Sequence, residues 1–293
     1  MMDWMEIIQK IITETVIISL LIFVLMIIVE FIELKFAGWM KRFFIENKSL
    51  KYVLSSLLGS APGCMGTFFM DTLYMAGIAG FGGIVATMIA TSGDEAIYLI
   101  SLAIKSDNTI SFSFIISLFS VLFILGIIGG WLADLVVKKL RISVSKKCAI
   151  ERHEEIDLPK INWVHFLKEH VWSHIFRKHL VKIFFWILGS LILVEILGEA
   201  YKLQENIAEN KVFFLILAGI IGIIPLSGPN IVIITFFAGG LIPFSILLTN
   251  SIVQDGHGLL PLLGFSLEDS FKIKLFNLAF GLVIGFLVMA VGF

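Results

Sequence analysis

Two short stretches decide how this sequence folds: Thr91 to Glu95, read TSGDE, and Gln254 to Gly258, read QDGHG. Each sets ionisable groups inside an otherwise apolar run. Asp94 and Glu95 stand between the apolar runs 81–90 and 96–104, and Asp255 and His257 stand between 241–253 and 259–265. A carboxylate at bilayer depth costs about 2.5 to 3.5 kcal/mol even on lenient insertion scales, so acids kept there mark a functional site by default. Each stretch also holds a glycine, Gly93 and Gly256, which can open a helix and free backbone carbonyls for a ligand.

Sliding the sequence by 163 residues superimposes the two stretches without a gap. Over 59–104 against 222–267 the identities are Gly59/Gly222, Pro62/Pro225, Thr72/Thr235, Gly77/Gly240, Phe81/Phe244, Ile89/Ile252, Gly93/Gly256 and Leu99/Leu262. Half of them are glycine or proline, the residues that fix backbone shape, so the pattern reads as an internal duplication. Upstream the pairing continues with a two-residue slip, Val29-Glu30 against Val194-Glu195.

Composition sets the class. With 58% hydrophobic and 15% charged residues and a mean hydropathy of +0.98, the chain is a polytopic membrane protein, since soluble domains carry about 25% charge. The basic residues are sorted into loops and make no basic face, which excludes nucleic acid as a partner. The two cysteines, Cys64 and Cys148, give no disulfide framework.

The apolar span 11–34 is too long for a signal-peptide core and reads as a retained helix carrying Glu30. The loop 35–51 with Lys35, Lys41, Arg42, Lys48 and Lys51 is cytoplasmic by the positive-inside rule, as is the basic segment 138–178. Both termini are then expected outside a plasma membrane. Between two cytoplasmic loops the chain must cross an even number of times, yet it offers three segments: 52–77, interrupted at Pro62-Gly63-Cys64; 81–104, split at Ser92-Gly93; and the continuous 111–137. The parity predicts that 81–104 enters and leaves on one side, because its halves of about ten residues are each too short for a hydrocarbon core of ~30 Å. The second half repeats the plan, with a span at 180–198 carrying Glu195, a broken span at 212–241, a hairpin at 243–265 and a closing span at 275–292. The breaks are expected to hinge at Pro62, Gly63 and Gly93 in one half and at Pro225, Gly228, Pro229 and Gly256 in the other. The expected fold is an all-α polytopic membrane protein of two inverted-topology repeats, each with a broken helix and a re-entrant helical hairpin. The domain plan is membrane repeat 1 over 1–137, a cytoplasmic basic, His-rich linker over 138–178 and membrane repeat 2 over 179–293.

The segments PGCMGTFFMDTLYMAGIAGFGG (62–83), IATSGDEA (89–96), PLSGPN (225–230) and GGLIPFSILLTNSIVQDGHGLLPLLGFS (239–266) resemble the family of ten-helix heavy-metal exporters, labelled arsenic efflux proteins or manganese transporters. The resemblance covers nearly the whole chain and implies a transporter. It departs at Leu226 and Asn230, where that family carries a glutamine and a histidine; asparagine still offers a carbonyl oxygen.

The substrate follows from chemistry. All four arginines, Arg42, Arg141, Arg152 and Arg177, sit in loops, and no lysine falls in a motif, so the acids point to a cation. Asp94, Glu95, Asp255, His257, Glu30, Glu195 and Asn230 offer oxygens and one imidazole, a set that suits Mn²⁺ or a similar divalent ion, with Cys64 as one softer ligand. Three thiolates for arsenic are out of reach of two cysteines. Cys64 faces Ser227 across the repeat, which favours a small residue at a break over a ligand, and Asp71 has only Ile234 opposite it, which fits a packing or cavity role. In the linker, His170 and His174 are spaced for one helical face and can chelate a metal, although Trp163 to His179 also reads as an amphipathic interfacial helix. The leading expectation is a secondary antiporter exporting a metal cation or metalloid against protons, with His257, unperturbed pKa about 6.5, among the exchanging groups. No cofactor beyond the carried ion is expected, and a homodimer is compatible. No GxxxxGK[ST] motif provides for ATP. The rivals are an intramembrane enzyme acting on a lipid phosphate, and a channel.

Overall fold

The structure, a computed structural model, describes residues 4–46, 50–105, 110–142, 172, 176–177, 180–200 and 203–293. It is all-helical over these residues: α1 (Trp4–Glu46), α2 (Lys51–Ser60), α3 (Met65–Met75), α4 (Phe81–Ala90), α5 (Gly93–Lys105), α6 (Phe112–Leu140), α7 (Val181–Ala200), α8 (Leu203–Glu209), α9 (Lys211–Gly222), α10 (Ser227–Ala238), α11 (Phe244–Val253), α12 (Leu260–Phe265) and α13 (Leu267–Ala290). Among the described residues, Ile7–Ile28, Phe81–Lys105, Phe112–Leu140 and Leu267–Ala290 are long and apolar enough to cross a membrane.

The helices are inside out relative to a soluble protein. In α6, Ile116, Ile124 and Trp131 are exposed, while Gly126, Gly129, Gly130 and Ala133 are buried. Lipid solvates large apolar side chains as well as protein does, so association rests on small residues that let backbones approach. A Cβ at Gly126 would press on the Ala86 carbonyl and Ala90, and one at Gly130 on the Gly82 carbonyl and Ala86. In the second half Gly281 meets Val253 and the Thr249 carbonyl, and Gly285 meets Thr249. Gly59 lies against the Thr87 carbonyl just as Gly222 lies against that of Asn250. The same close approaches thus build two three-helix bundles, α2–α4–α6 and α9–α11–α13.

Within the first bundle α2 and α4 run parallel. Ser55 lies beside Gly83 and Gly59 beside Thr87, and Thr87 Oγ1 donates to the Ser55 carbonyl at 2.8 Å. Near the end of α6, Asp134 accepts from Lys51 Nζ at 2.8 Å, Tyr52 Oη at 2.8 Å and the Gly82 amide at 2.7 Å. The chain therefore leaves one end of the bundle at residue 51 and is back there by residue 82. Likewise Val212 and Phe213 share a cavity wall with Met289, and Phe244 and Leu248 share one with Leu287 and Val288. The segment 212–244 starts and finishes at the end of α13.

The sequence assigns the hairpin role to 81–104; in the structure it is 52–77, as α2 and α3, that starts and finishes at one end of the bundle, whereas α4 and α5 part company: α4 stays with α2 and α6, and α5 packs on α1 and α10. Length could not separate them, because the halves are 10 and 11 residues in one case and 10 and 13 in the other. Two further boundaries shift. The expected loop 35–51 is helical as far as Glu46, since no proline interrupts α1. The closing helix begins at Leu267, where Ser266 Oγ accepts from the Asp269 amide at 3.2 Å and caps the first turn.

The halves meet through their ends. Phe114, at the start of α6, stacks on Phe237 with centroids 5.1 Å apart and meets Phe244 edge-on at 6.0 Å. Tyr74, at the end of α3, donates to Asp269 Oδ2 at 2.9 Å, at the start of α13. Outside this core α1 packs on α5 and α7, and α7 packs on α10.

Candidate metal-binding site

The breaks converge. The Gly63 amide donates to the Gly93 carbonyl at 3.1 Å, in an isolated antiparallel bridge, and Gln254 Nε2 donates to the Thr91 carbonyl at 3.1 Å. Gly93 and Gly256 carry φ of +44° and +51°, a region that costs a side-chain-bearing residue about 1–2 kcal/mol. Thr91 and Gln254, which precede them, share the same extended backbone (φ −66°, ψ 132° and φ −72°, ψ 146°). The first break differs between the halves, with Gly63 at φ +94° and Leu226 at φ −144°.

Asp94 lies in the first turn of α5, where unpaired backbone amides and the positive end of the helix dipole favour a carboxylate by about 0.3–1 kcal/mol. It is buried, yet it meets three side chains. Ser227 Oγ, from the first residue of α10, donates to Asp94 Oδ2 at 3.1 Å. His257 Nδ1 lies 3.6 Å from the same oxygen and 3.2 Å from Ser227 Oγ. Cys64 Sγ, just before α3, lies 4.0 Å from Asp94 Oδ1. One ligand atom each from Cys64, Asp94 and His257 falls within 4.8 Å of the others. Thiol, carboxylate and imidazole together are a metal-ligand set.

Glu95 and Asn230 form an adjoining layer. Asn230 Nδ2 donates to Glu95 Oε1 at 3.3 Å, to Gln254 Oε1 at 3.4 Å and to the Leu226 carbonyl at 3.1 Å. Asn250 Nδ2 donates to Asn230 Oδ1 at 3.2 Å and to the Ala218 carbonyl at 3.0 Å, which turns the Asn230 amide nitrogen toward Glu95. Asn230 thus faces Glu95 as a donor. Glu95 Oε2 has no hydrogen-bond partner among the described residues and lies near Gly93 and Gly256.

Asp255, expected as a ligand, is not brought into the trio. It is buried and held by Lys274 Nζ at 2.6 Å, and the same ammonium donates to the Gly222 carbonyl at 3.0 Å and the Val253 carbonyl at 3.3 Å. The premise that the membrane core holds no base fails at Lys274. Asp71 is also buried, close enough to Asp255 to feel its charge and beside the Leu262 backbone.

Glu195 stands apart too. It lines a separate cavity of about 420 Å³ with Lys10, Glu14, Tyr98, Lys105 and Thr235. The Glu30 side chain and His153, His165, His170, His174 and His179 lie outside the described residues. Of the expected hinges, Gly228 seats the Trp186 indole, and Pro229 sits in the first turn of α10. Sequence reasoning passed over Ser227, Gln254 and Asn250 as neutral polar residues. The signal for Ser227 was present in its equivalence to Cys64, and for Lys274 in its position only nine residues past the end of the predicted hairpin that bears QDGHG.

No curated protein and no solved structure matches the chain. One family model, described as "Putative, 10TM heavy-metal exporter", matches residues 5–184 and 174–291. Those two matches span almost the entire sequence, and the chain belongs to this family of heavy-metal exporters.

Proposed function

We propose that the chain is a secondary-active exporter of a divalent transition-metal cation, bound by Cys64, Asp94 and His257 and exchanged against protons. The observation that carries this reading is the trio, whose ligand atoms come from both halves and lie within 4.8 Å of one another. Ligands about 2.0–2.3 Å from an ion at the centre of a tetrahedron are about 3.3–3.8 Å apart. The trio thus needs to contract by about an ångström, and water can complete the shell. One thiolate with one imidazole and one carboxylate suits Zn²⁺ and neighbouring borderline ions. Mn²⁺, favoured by an all-oxygen set, loses ground now that Asp255 pairs with Lys274.

The proposed membrane arrangement has six crossings, α1, α4–α5, α6, α7, α11–α12 and α13, with α2–α3 and α9–α10 as re-entrant hairpins from opposite sides. Asp134 gathering residues 51, 52 and 82 supports the first hairpin. The contact of Phe114 with Phe237 and Phe244 supports the inversion, because it sets the start of α11 beside the start of α6, opposite the end where α4 begins. Counting each hairpin limb gives ten spans, the number in the family's description. The basic residues of 35–51 and 138–178 orient both termini outside the plasma membrane.

The enzyme alternative needs a buried base free to hold phosphate. Lys274 is already committed: it is ion-paired with Asp255 and donates to the Gly222 and Val253 carbonyls. Purified protein in proteoliposomes tests the proposal: Zn²⁺ flux that is driven by an imposed pH gradient without ATP, and that is lost in Asp94→Asn, is the expected result. Flux of arsenite but of neither Zn²⁺ nor Mn²⁺ overturns it.

A further inference from the structure

We infer that the ends of α9 and α11 form a monovalent-cation site that this protein fills with its own Lys274 ammonium. Gly222 is the last residue of α9 and Val253 the last of α11. The final carbonyls of a helix have no partner within it and carry the negative end of its dipole. Here two such ends and the Asp255 carboxylate converge on one point, at 3.0, 3.3 and 2.6 Å from Lys274 Nζ. In transporters with interrupted helices, carbonyls at broken-helix C-termini are the ligands of free Na⁺. Lys274 is largely buried, donates to the two carbonyls and is ion-paired with the carboxylate.

The cage is charged in only one half. The equivalents of Gly222, Val253 and Asp255 are Gly59, Ala90 and Ser92. The matching approaches of Gly126 and Gly281, and of Gly130 and Gly285, set Phe119 opposite Lys274. The first half therefore has the two carbonyls but neither the carboxylate nor the ammonium. Asp71 and Asn277 also face Asp255, so loss of the ammonium leaves two acids and an amide around an unfilled cage. A tethered ammonium keeps that charge balanced without an external monovalent ion, so the protein is stable in sodium-free medium. This inference stands apart from the metal reading.

The test compares the melting of full-length wild type, K274A and D255N/K274A in NaCl and in N-methyl-D-glucamine chloride at equal ionic strength. Wild type is expected to melt alike in both. K274A, with room for an ion beside an uncompensated Asp255, is expected to melt several degrees higher in NaCl, by mass action on the folded state. D255N/K274A is expected to lose that difference. Where K274A is recovered in neither salt, K274Q takes its place, with the yield of folded protein as a second readout. Equal melting and equal recovery in both salts for both single variants, nil recovery included, overturns the inference.

Discussion

Asp94 and His257 occupy the same position of the repeated sequence, 163 residues apart, and face each other with Oδ2 and Nδ1 at 3.6 Å. Other positions paired by the same offset also meet here. Thr91 and Gln254 do so through the hydrogen bond to the Thr91 carbonyl, and Cys64 and Ser227 do so by sharing the two oxygens of Asp94. A ligand at this point is held by both halves at once. In the exporter reading, rocking of one half against the other separates Cys64 and Asp94 from Ser227 and His257, which opens the shell and lets the ion go.

Ligand and supporting residues are expected to separate by magnitude. Cys64→Ala, Asp94→Asn and His257→Ala each remove a direct ligand. Ser227→Ala removes only the hydroxyl that donates to Asp94, and outer-shell losses of that kind cost about 10–100-fold in metal affinity. Zn²⁺ titration by calorimetry is expected to place Ser227→Ala in that range and the three ligand variants beyond it. Equal affinities for Asp94→Asn and wild type would show that the trio binds no metal.

The Asp255 and Lys274 pair is expected to govern stability more than affinity. Removing one partner of a buried ion pair costs about 3–5 kcal/mol, because the other charge stays behind unpaired. Asp255→Asn is therefore expected to lower the denaturation midpoint sharply while the folded fraction keeps its Zn²⁺ affinity. Asp255→Leu with Lys274→Met removes both charges and is expected to recover much of the loss. Thermal melts read the stability, and calorimetry on the same samples reads the affinity. A folded Asp255→Asn that no longer binds Zn²⁺ would return Asp255 to the ligand set.

Accessibility decides which segment turns back in the membrane. With α2–α3 as the hairpin, the exposed Ile78, between α3 and α4, lies on the same side as Lys51. A cysteine there, in a background lacking Cys64 and Cys148, is expected to label from the cytoplasm, and one at Asn210 from outside. Labelling of Ile78→Cys from outside would restore 81–104 as the hairpin.

The sequence carried the class and the break points, because glycine, proline and buried acids write those features locally. The 163-residue offset even predicted which positions share backbone angles at Gly93 and Gly256. It did not carry the pairing of segments. Whether α4 doubles back on α5 or runs beside α2 depends on contacts such as Ser55 with Gly83, between small residues that no hydropathy pattern distinguishes. The site was legible in part for the same reason. Asp94, Glu95, Cys64 and His257 stand out as polar groups in apolar sequence, but the turn after Val253 sends Asp255 toward α13 and His257 toward α5, and two residues of sequence separation say nothing of that divergence. Lys274 was misread because the hydrophobic window placed the start of its helix at 275, beyond it.

Proton exchange is the most exposed part of the proposal, and it follows from the ligands themselves. A thiol binds metal as thiolate and an imidazole as the neutral ring, so ion entry expels whatever protons those groups hold. The free thiol has an ordinary pKa of about 8.5 and imidazole about 6.5. Each proton bound in the empty site and lost on filling makes affinity fall tenfold per pH unit on acidification. Zn²⁺ affinity is expected to weaken steeply as pH falls from 8 to 6, with at least one proton released per ion. Titrations at a fixed pH in two buffers of different ionisation enthalpy count those protons directly. Cys64→Ser, which replaces the thiol by a hydroxyl that stays protonated, is expected to lower the count along with the affinity, whereas Glu195→Gln, in the separate cavity lined by Glu14 and Lys105, is expected to alter neither. Binding that releases no proton anywhere in this range would remove the coupling and leave a metal site without a means of driving export.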